Sequence, residues 1–356
     1  MQRRVIVPFF ISHQGCPHSC IFCDQRRISG APGLLPSPEE ISEKVAAYRS
    51  SSRQATVEVA FYGGSFTMLP QELQRSLLSP LQPLRDSGQV SAVRLSTRPD
   101  ALDPGVIGLL QEFQVSLVEL GVQSMDDGVL SAAGRGHTAF DTVRAFTLLQ
   151  EAGINVGAQL MPGLPGDTFA GSLWSLHRLL ALKPVCLRIY PTVVVAGTEL
   201  AARFFRGEYC PLKLEEAVTL GARLLHAALL AGVPVIRMGL QPTDLLSAPD
   251  GVVAGPFHPA FRQLVESELF LELLRLLTAG AVGPITVSAH PSQLSTLVGQ
   301  RNVNRNRLRE EGILLEKFIP EATLALHDLA VTFAGITRKG NIMTDLYSPE
   351  PEAHHG

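Results

Sequence analysis

The 356-residue chain is poor in cysteine, in aromatic side chains and in charge. It contains five cysteines and one tryptophan, 18% of its residues are charged, and the net charge at pH 7 is −3. Five cysteines in a chain of this length exclude the dense disulfide framework of small secreted domains. A net charge near zero gives no bulk attraction to nucleic acid or to anionic membranes. Only local patches of the surface could bind such partners.

The sequence also lacks a long hydrophobic run. The apolar stretch at 224–236 is interrupted by His226 and Pro234, which excludes a transmembrane helix there. The N-terminal apolar stretch is short, contains Pro8 and leads into polar residues, which is not typical of a signal peptide. We therefore predict a cytoplasmic protein with no membrane partner.

Short apolar segments alternate regularly with amphipathic stretches. The segments are rich in β-branched or aromatic residues and too short for helices, which is typical of strands. The stretches between them have helical patterns, and the first begins with Ser37, Pro38 and Glu40, which form a capping signal. Seven strands are predicted, at 5–12, 55–64, 93–99, 117–124, 155–163, 186–195 and 234–240. Strands separated by helices are parallel.

The strand ends favour a (β/α) barrel over a doubly wound sheet. Nearly every predicted strand runs into a polar or glycine-bearing cluster. A barrel mouth collects functional groups from many strand ends, whereas a doubly wound sheet collects them at one switch point. After about residue 245 the alternation ends. The expected units are a barrel at 1–245, a connecting loop and helix at 246–283, a small α+β domain at 284–342, and a flexible tail at 343–356.

Three of the five cysteines lie within eight positions, at Cys16, Cys20 and Cys23. Three chemistries fit this spacing. An iron–sulfur cluster on three thiolates would keep one iron open for a ligand. A zinc ion would need a fourth ligand, for which His13 and His18 are close in sequence. The third interpretation is that the cysteines are small buried apolar residues.

The motifs around and after this loop resemble the radical S-adenosylmethionine (SAM) superfamily. Phe22 precedes the third cysteine, and the loop directly follows the first predicted strand. The later motifs, in order, are YGGSF (62–66), STRPD (96–100), ELGVQSMDDGVL (119–130), GRGHT (134–138), MPGLPGDT (161–168) and RIYPTVVVAGTEL (188–200). They are most similar to the radical domain of the elongator catalytic subunit and its short bacterial relatives, and more distantly to oxygen-independent coproporphyrinogen oxidases. The resemblance covers about residues 5–245. The expected fold is therefore α/β, a partial (β/α)6 barrel with a small C-terminal α+β domain.

The resemblance implies the chemistry of the cysteine loop. Cys16, Cys20 and Cys23 would bind a 4Fe-4S cluster, and SAM would chelate the fourth iron through its amino and carboxylate groups. One electron from the cluster would split SAM into methionine and a 5′-deoxyadenosyl radical, which abstracts a hydrogen atom from the substrate. That electron would come from a donor such as ferredoxin or flavodoxin.

The resemblance also implies which residues contact the cofactors. Gly63 and Gly64 would let the backbone approach the methionyl amino group, with Ser65 where many members have glutamate. Arg135 is a candidate for the methionyl carboxylate, and a solvated loop arginine is the alternative. Gln123 is a candidate for the ribose or methionine, and a buried amide bound by nearby backbone is the alternative. Phe22 and Leu160 complete this set.

On the substrate side we expect Arg98, Tyr190 and His258. His258 stands before a proline and just ahead of a predicted helix, so a capping role is its alternative. Cys186 and Cys210 are expected to be ordinary packing residues.

One local basic patch is predicted near the C-terminal end. Between Leu273 and Arg309 the sequence has no Asp or Glu. In one helix, Arg301, Arg305 and Arg309 would form a single stripe, and their guanidinium groups suit phosphates. We predict RNA, in particular tRNA, as the partner of this stripe, and a solvated polar helix is the alternative.

The expected function is that of a radical SAM enzyme acting on tRNA or other RNA. About 110 residues follow the predicted barrel, without an acetyl-CoA-type glycine loop, so we expect no acetyltransferase activity. A radical enzyme acting on a small molecule or tetrapyrrole is the first alternative. The second is a non-catalytic RNA-binding protein stabilised by zinc or by a cluster.

Overall fold

The first two thirds of the chain form a parallel sheet. The computed structural model describes residues 4–16, 20–31, 34–52, 55–248 and 250–346. The strands of this part are β1 Arg4–Phe10, β2 Thr56–Tyr62, β3 Ala92–Thr97, β4 Leu117–Gln123, β5 Asn155–Leu160, β6 Cys186–Ile189, β7 Val194–Val195, β8 Val235–Met238 and β9 Val252–Ala254. Strands β1 to β6 and β8 lie side by side in that order, and each pairing is parallel.

All seven predicted strands are present, and one of them is divided. The segment predicted at 186–195 ends as β6 at Ile189, and its last two residues form β7, which pairs antiparallel with β9. Pro191 lies between the two pieces. A proline has no N–H to donate to a neighbouring strand, so a strand is easily interrupted there.

Helices connect the strands and cover the convex face of the sheet. They are α1 Gln25–Ser29, α2 Pro38–Ser51, α3 Gln71–Leu78, α4 Gln82–Asp86, α5 Pro104–Glu112, α6 Asp127–Ala132, α7 Ala139–Glu151, α8 Phe169–Ala181, α9 Glu199–Phe205, α10 Leu214–Leu230 and α11 Asp244–Ser247. The capping signal before α2 is confirmed: the Ser37 hydroxyl accepts from Glu40 N at 3.2 Å, and the Glu40 carboxylate accepts from Ser37 N at 2.7 Å. These two bonds satisfy donors that a helix start leaves free.

The sheet curls into a partial barrel. Its strand order never reverses, so it has no switch point of the doubly wound kind. Its two edge strands, β1 and β8, do not pair with each other, which leaves the barrel open along one side. Each of the seven strands contributes a residue to one cavity on the concave face. The predicted partial (β/α) barrel is confirmed.

A small α+β unit follows the barrel. Its elements are α12 Phe261–Thr278, β10 Ile285–Ala289, α13 Leu294–Val298, α14 Val303–Glu310, β11 Leu315–Pro320, β12 Asp328–Phe333, β13 Ile336–Asn341 and α15 Ile342–Asp345. The strands form a mixed sheet in the order β11-β10-β12-β13. Helix α12 packs on α10 and on β12, and one hydrophobic core continues from the barrel through α12 into this sheet.

The predicted tail at 343–356 begins inside helix α15, whose first residue, Ile342, is buried. The chain after Leu346 lies outside the described residues. None of the helices in the described ranges is long and apolar enough to cross a bilayer.

Candidate active site

The cysteine loop follows β1 and is held against the end of β2. Ile11 N donates to Tyr62 O at 2.8 Å, and His13 N donates to Gly63 O at 3.0 Å. Gly15 has φ +70°, and a Cβ atom there would lie 2.3 Å from the carbonyl oxygen of Ser65. The loop can therefore approach residue 65 this closely only because position 15 is glycine.

Each of the three thiols has a polar neighbour. Cys16 Sγ lies 3.7 Å from the hydroxyl of Ser65, and Cys20 Sγ accepts from Arg135 Nη1 at 3.1 Å. Cys23 Sγ accepts from Gln25 Nε2 at 3.5 Å. Burial, and then the neighbouring Cys20, raise the pKa of Cys23 to about 12. This thiol therefore ionises at neutral pH only when a positive centre binds it.

The donor set fits a 4Fe-4S cluster. In the part of the chain that the structure describes, no three Cys, His, Asp or Glu side chains converge as the ligands of a single metal ion do. A cluster does not require that convergence, because each thiolate binds a different iron. His13, offered above as a zinc ligand, accepts from Gln25 N through Nε2 at 2.8 Å. His18, the other candidate, lies outside the described residues.

Gly63 and Gly64 form a cradle next to the cysteine loop. Gly63 has φ +87°, a conformation that favours glycine, and both residues line the cavity. A Cβ atom at Gly64 would lie 2.5 Å from the carbonyl oxygens of Ile11 and Gln14. These contacts show that Gly64 packs against the backbone of the cysteine loop, and the approach of the YGGSF backbone to SAM stays a prediction.

Arg135 is buried, so the alternative of a solvated loop arginine is wrong. Its Nη1 donates to Cys20 and its Nη2 donates to Gly121 O at 2.7 Å. Its Nε is buried with no hydrogen-bond partner among the described residues. Such an orphaned donor beside the cysteine loop suits an anionic ligand group.

Arg98 supports Arg135 from behind. Its guanidinium pairs in bidentate fashion with Asp100, at 2.9 and 2.8 Å, and Nη2 also donates to the carbonyl of Arg135. The predicted substrate residue Arg98 therefore has Nε and Nη2 engaged within the protein, and it lines the cavity.

Gln123 is buried at the end of β4 with φ +71°, which a non-glycine residue rarely adopts. Its Oε1 accepts from Gln159 Nε2 at 3.1 Å, and its side chain also lies close to Gly121. Both glutamines line the cavity. The structure thus places Gln123 beside Arg135, and its contact with SAM stays a prediction.

Of the other predicted cofactor residues, Phe22 and Ser65 line the cavity and Leu160 does not. The Leu160 side chain is buried in the hydrophobic core, while its neighbours Gln159 and Met161 line the cavity. Side chains of a strand alternate between its two faces, so the side chain of Leu160 faces the core when that of Gln159 faces the cavity.

The structure brings Tyr190 to the site and leaves His258 outside it. Tyr190 lines the cavity, and its hydroxyl accepts from Arg188 Nη1 at 3.1 Å. His258 is absent from the described cavity lining, and its Nδ1 accepts from Ala260 N at 3.1 Å just before α12. His258 therefore makes a local hydrogen bond in the turn before α12, and because the N-cap residue Ala260 has no side-chain cap, the capping alternative is not seen either.

Sequence reasoning missed an ionic network deeper in the barrel. Arg94 binds Glu58 at 3.2 Å and Glu119 at 2.9 Å. Arg188 pairs with the other oxygen of Glu119 and donates to the Tyr62 hydroxyl at 3.0 Å. Burial and the charge of Glu119 raise the pKa of Tyr62 well above its usual range.

A signal for this network exists in the sequence. Glu58, Arg94, Glu119 and Arg188 are each the one charged residue within an otherwise uncharged strand. A charge inside such a strand is costly unless it is paired, so three charges in the neighbouring strands β2, β3 and β4 and a fourth in β6, beyond β5, indicate mutual pairing.

The predicted arginine stripe does not form. Arg301 and Asn302 have φ +52° and +59°, so the chain kinks there and α14 begins only at Val303. Arg305 donates to the carbonyls of Leu315 and Glu316 at 3.1 and 2.8 Å. Arg309 donates to the side chain of Asn306 at 3.1 Å. The left-handed kink removes Arg301 from the helix on which the predicted i, i+4, i+8 spacing depends.

One cavity of about 590 Å³ joins the cysteine loop to the ionic network. Its upper part is lined by the three cysteines, the glycine cradle and Arg135. Its lower part is lined by residues of the concave face, among them Tyr62, Glu119 and Arg188. A cofactor bound at the loop would therefore face a substrate held in the barrel.

Sequence profiles of two protein families match the chain. The radical SAM superfamily matches residues 10–171, and the radical SAM C-terminal domain matches residues 184–270. Together they cover well over half of the chain and leave the whole C-terminal sheet, β10 to β13, unmatched.

The chain is similar to several curated proteins. It is 28% identical over 253 residues to the tRNA uridine(34) acetyltransferase of Methanocaldococcus jannaschii, covering 60% of this chain and 47% of that protein. It is 30% identical to Elongator complex protein 3 of Danio rerio, over 48% of this chain and 34% of that protein. It is 28% identical to the heme chaperone HemW of Bacillus subtilis, over 51% of this chain and 49% of that protein. The chain thus spans about half or less of these relatives.

A solved structure agrees with the fold. The Elp3 of Methanocaldococcus infernus, with an N-terminal deletion, superposes with a TM-score of 0.61 at 22% identity, over 77% of this chain and 64% of that chain. The cysteine loop, the glycine cradle and the open barrel are the parts that a cluster and SAM require. With both profiles in agreement, the chain belongs to the radical SAM superfamily of enzymes, which use a 4Fe-4S cluster and SAM.

Proposed function

We propose that this radical SAM enzyme modifies a nucleoside of tRNA inside its barrel. The single observation that supports the site of reaction is the continuous cavity that runs from the cysteine loop to the ionic network. The similarity to a tRNA uridine(34) acetyltransferase supports the choice of substrate. The predicted cytoplasmic location and the predicted electron donor, ferredoxin or flavodoxin, belong to this proposal.

Residues of the upper cavity would hold the cofactors. Cys16, Cys20 and Cys23 would bind the cluster, which when bound supplies the electron for reductive cleavage of SAM. Gly63 and Gly64, which line the cavity beside the cysteine loop, would let the backbone approach the ligand. Arg135, with its orphaned Nε, would pair with the carboxylate of SAM.

The loop that carries the cysteines also covers the open side of the barrel near its mouth. Helix α1 contacts α11, which follows the edge strand β8. The Thr243 hydroxyl donates to Arg27 O at 3.1 Å, and the Ser12 and Ser29 hydroxyls lie 2.8 Å apart. On this proposal, these contacts would help to keep water from the reacting atoms.

The size of the cavity limits what can react. A volume of about 590 Å³ is in the range of small-molecule sites, and it cannot hold a nucleic-acid helix. A reacting nucleoside must therefore leave its stack and enter the barrel alone. The rest of the RNA would lie on the outer surface of the protein.

The test is anaerobic reduction of the cluster-loaded protein with SAM, with and without total tRNA. We expect slow formation of 5′-deoxyadenosine alone and at least about tenfold faster formation with tRNA, because a bound substrate completes the closed site. RNase-treated tRNA is the control and should restore the slow rate. Stimulation by a tetrapyrrole instead of tRNA would overturn the RNA assignment, and the similarity to HemW makes that compound the appropriate competitor.

A further inference from the structure

Four charged side chains at the floor of the barrel pair with one another. Two carboxylates, Glu58 and Glu119, face two guanidiniums, Arg94 and Arg188, and each of the four takes part in an ion pair. Arg4 also approaches Glu58, at 3.6 Å, but its side chain is 74% exposed and screened by solvent. The four inner residues therefore neutralise one another.

Arg237 adds a fifth charge to this floor. It lies on β8, the open edge of the barrel, and it is the strand neighbour of Arg188 on β6. Arg237 is half-buried and lines the cavity. Its Nη1 donates to Gln241 Oε1 at 2.9 Å, and no ion pair forms between Arg237 and a carboxylate in the described part of the chain. Its charge thus has only a neutral amide partner.

Arg98 and Arg188, which also line the cavity, are paired with carboxylates. Arg135 has no ion pair among the described residues either, but it contacts Cys20 and Gly121 at the cysteine-loop end of the cavity, where the carboxylate of SAM is proposed to bind. The charge of Arg188, the strand neighbour of Arg237, is already paired with Glu119, so the charge of Arg237 is the one on this floor that has no carboxylate partner among the described residues. A guanidinium held by a neutral side chain and aimed into a cavity is suited to a phosphate or carboxylate.

We infer that Arg237 and Gln241 form a subsite for an oxyanion of the substrate at the β8 edge of the barrel. On the proposed function, on which this inference rests, the oxyanion is the phosphate of the reacting nucleotide. The opposite edge supports this orientation, because Ile6, Pro8 and Phe10 of β1 line the cavity with apolar surface. A base would pack against that wall, with its phosphate across the gap at Arg237.

The test compares uridine 5′-monophosphate with uridine by calorimetric titration of the cluster-loaded, SAM-bound protein. Wild type should bind the monophosphate about tenfold more tightly, the effect of one charge-assisted contact. Arg237→Gln should abolish that preference, and Arg237→Lys should keep part of it because the charge remains. Arg144→Gln, on the exposed side of α7, is the matched control and should behave as wild type. Thermal melting of each variant separates loss of folding from loss of the subsite.

Two results would overturn the subsite: equal binding of the two ligands by wild type, or an unchanged preference in Arg237→Gln. Neither touches the tRNA stimulation described above, so the proposed function would survive. A third titration uses coproporphyrin III, which carries four carboxylates and no phosphate. Arg237-dependent binding of this compound, without binding of the monophosphate, would support the subsite and contradict the RNA assignment.

Discussion

At the scale of single residues, the three thiols of the cysteine loop have different surroundings. Cys16 is exposed next to Ser65, Cys20 accepts from a guanidinium, and Cys23 has a pKa raised to about 12 by burial. The guanidinium belongs to Arg135, which lies 115 positions later in the sequence. Cluster binding must deprotonate all three thiols, and at Cys23 it must overcome the raised pKa.

The first prediction concerns these thiols. Cys16→Ala, Cys20→Ala and Cys23→Ala should each reduce the iron and sulfide of anaerobically prepared protein from about four to below one per chain, because a two-thiolate site does not retain the cluster. Cys210→Ala is the control, since this exposed cysteine lies outside the cavity lining. Full iron content in any of the three variants would contradict the assignment.

The second prediction concerns the glycine cradle. Gly64→Ala places a Cβ atom 2.5 Å from two backbone oxygens, which cannot move as a side chain would. We expect cluster-free Gly64→Ala to lose about 1–3 kcal/mol of unfolding free energy in urea. Gly108→Ala, in helix α5 with open space around it, should gain up to about 1 kcal/mol. An unchanged unfolding free energy for Gly64→Ala would show that the backbone around Gly64 can make room for a Cβ atom.

The third prediction is a pH dependence from His137. Burial, and then the charge of Arg135, lower the pKa of His137 from 6.5 to about 4. As the pH falls below 6.5, the unfolded chain binds a proton at His137, whereas the folded chain does so only near pH 4. The contribution of neutral His137 to the unfolding free energy is therefore fully present above pH 6.5 and is lost as the pH drops toward 4. Between pH 7.5 and 5, wild type should lose roughly 2 kcal/mol more than His137→Gln in urea unfolding of the cluster-free protein. Equal losses would contradict the role of burial.

At the scale of elements, the strands β2, β3, β4 and β6 assemble the ionic network. The sequence shows one charge in each of these strands. Because side chains alternate between the two faces of a strand, each charged residue shares its face with the residues two positions before and after it. Which charge meets which depends on strand register. In the structure Ser96 of β3, and not Arg94, is the direct neighbour of Glu119 on β4. The pairs of Arg94 with Glu58 and Glu119 are therefore diagonal, whereas the pair of Arg188 with Glu119 crosses the intervening strand β5. The sequence has no signal for either offset.

The fourth prediction tests this network. Glu119→Gln removes the carboxylate that both Arg94 and Arg188 contact and leaves buried positive charge. We expect a loss of about 3–5 kcal/mol in urea unfolding. Glu112→Gln removes a carboxylate from the exposed pair with Arg75 and should leave the unfolding free energy close to that of wild type. Equal effects of the two substitutions would mean that the barrel floor is solvated.

The C-terminal elements show where periodicity fails. The arginine spacing at 301, 305 and 309 predicts one helical stripe, but two left-handed residues follow Gly299 and interrupt it. Gly299 approaches Ser267 and Val303 so closely that a Cβ atom would clash with both. Such a turn is fixed by tertiary packing on α12, which helical periodicity alone does not reveal.

At the scale of the whole molecule, the positions of the strands and the order of the motifs along the chain are the features that predict the fold. Seven strands and the cysteine loop could be placed from local patterns, because each is a short segment with its own signal. Leu160 and His258 were predicted at the site but do not line the cavity. The direction of a side chain and its distance from the cavity depend on the assembled barrel, which local patterns do not describe. The floor network and Arg237 were missed for the same reason, since their neighbours come from different strands.

Three protein thiolates leave one iron of a 4Fe-4S cluster without a protein ligand, and the proposed chemistry depends on SAM binding at that iron. The most direct measurement is the electron paramagnetic resonance spectrum of the anaerobic, dithionite-reduced protein with and without SAM. We predict that SAM shifts the g-values of the reduced cluster in wild type. An unchanged spectrum, with SAM at saturating concentration, would mean that a fourth ligand already occupies the iron and would contradict the proposed site.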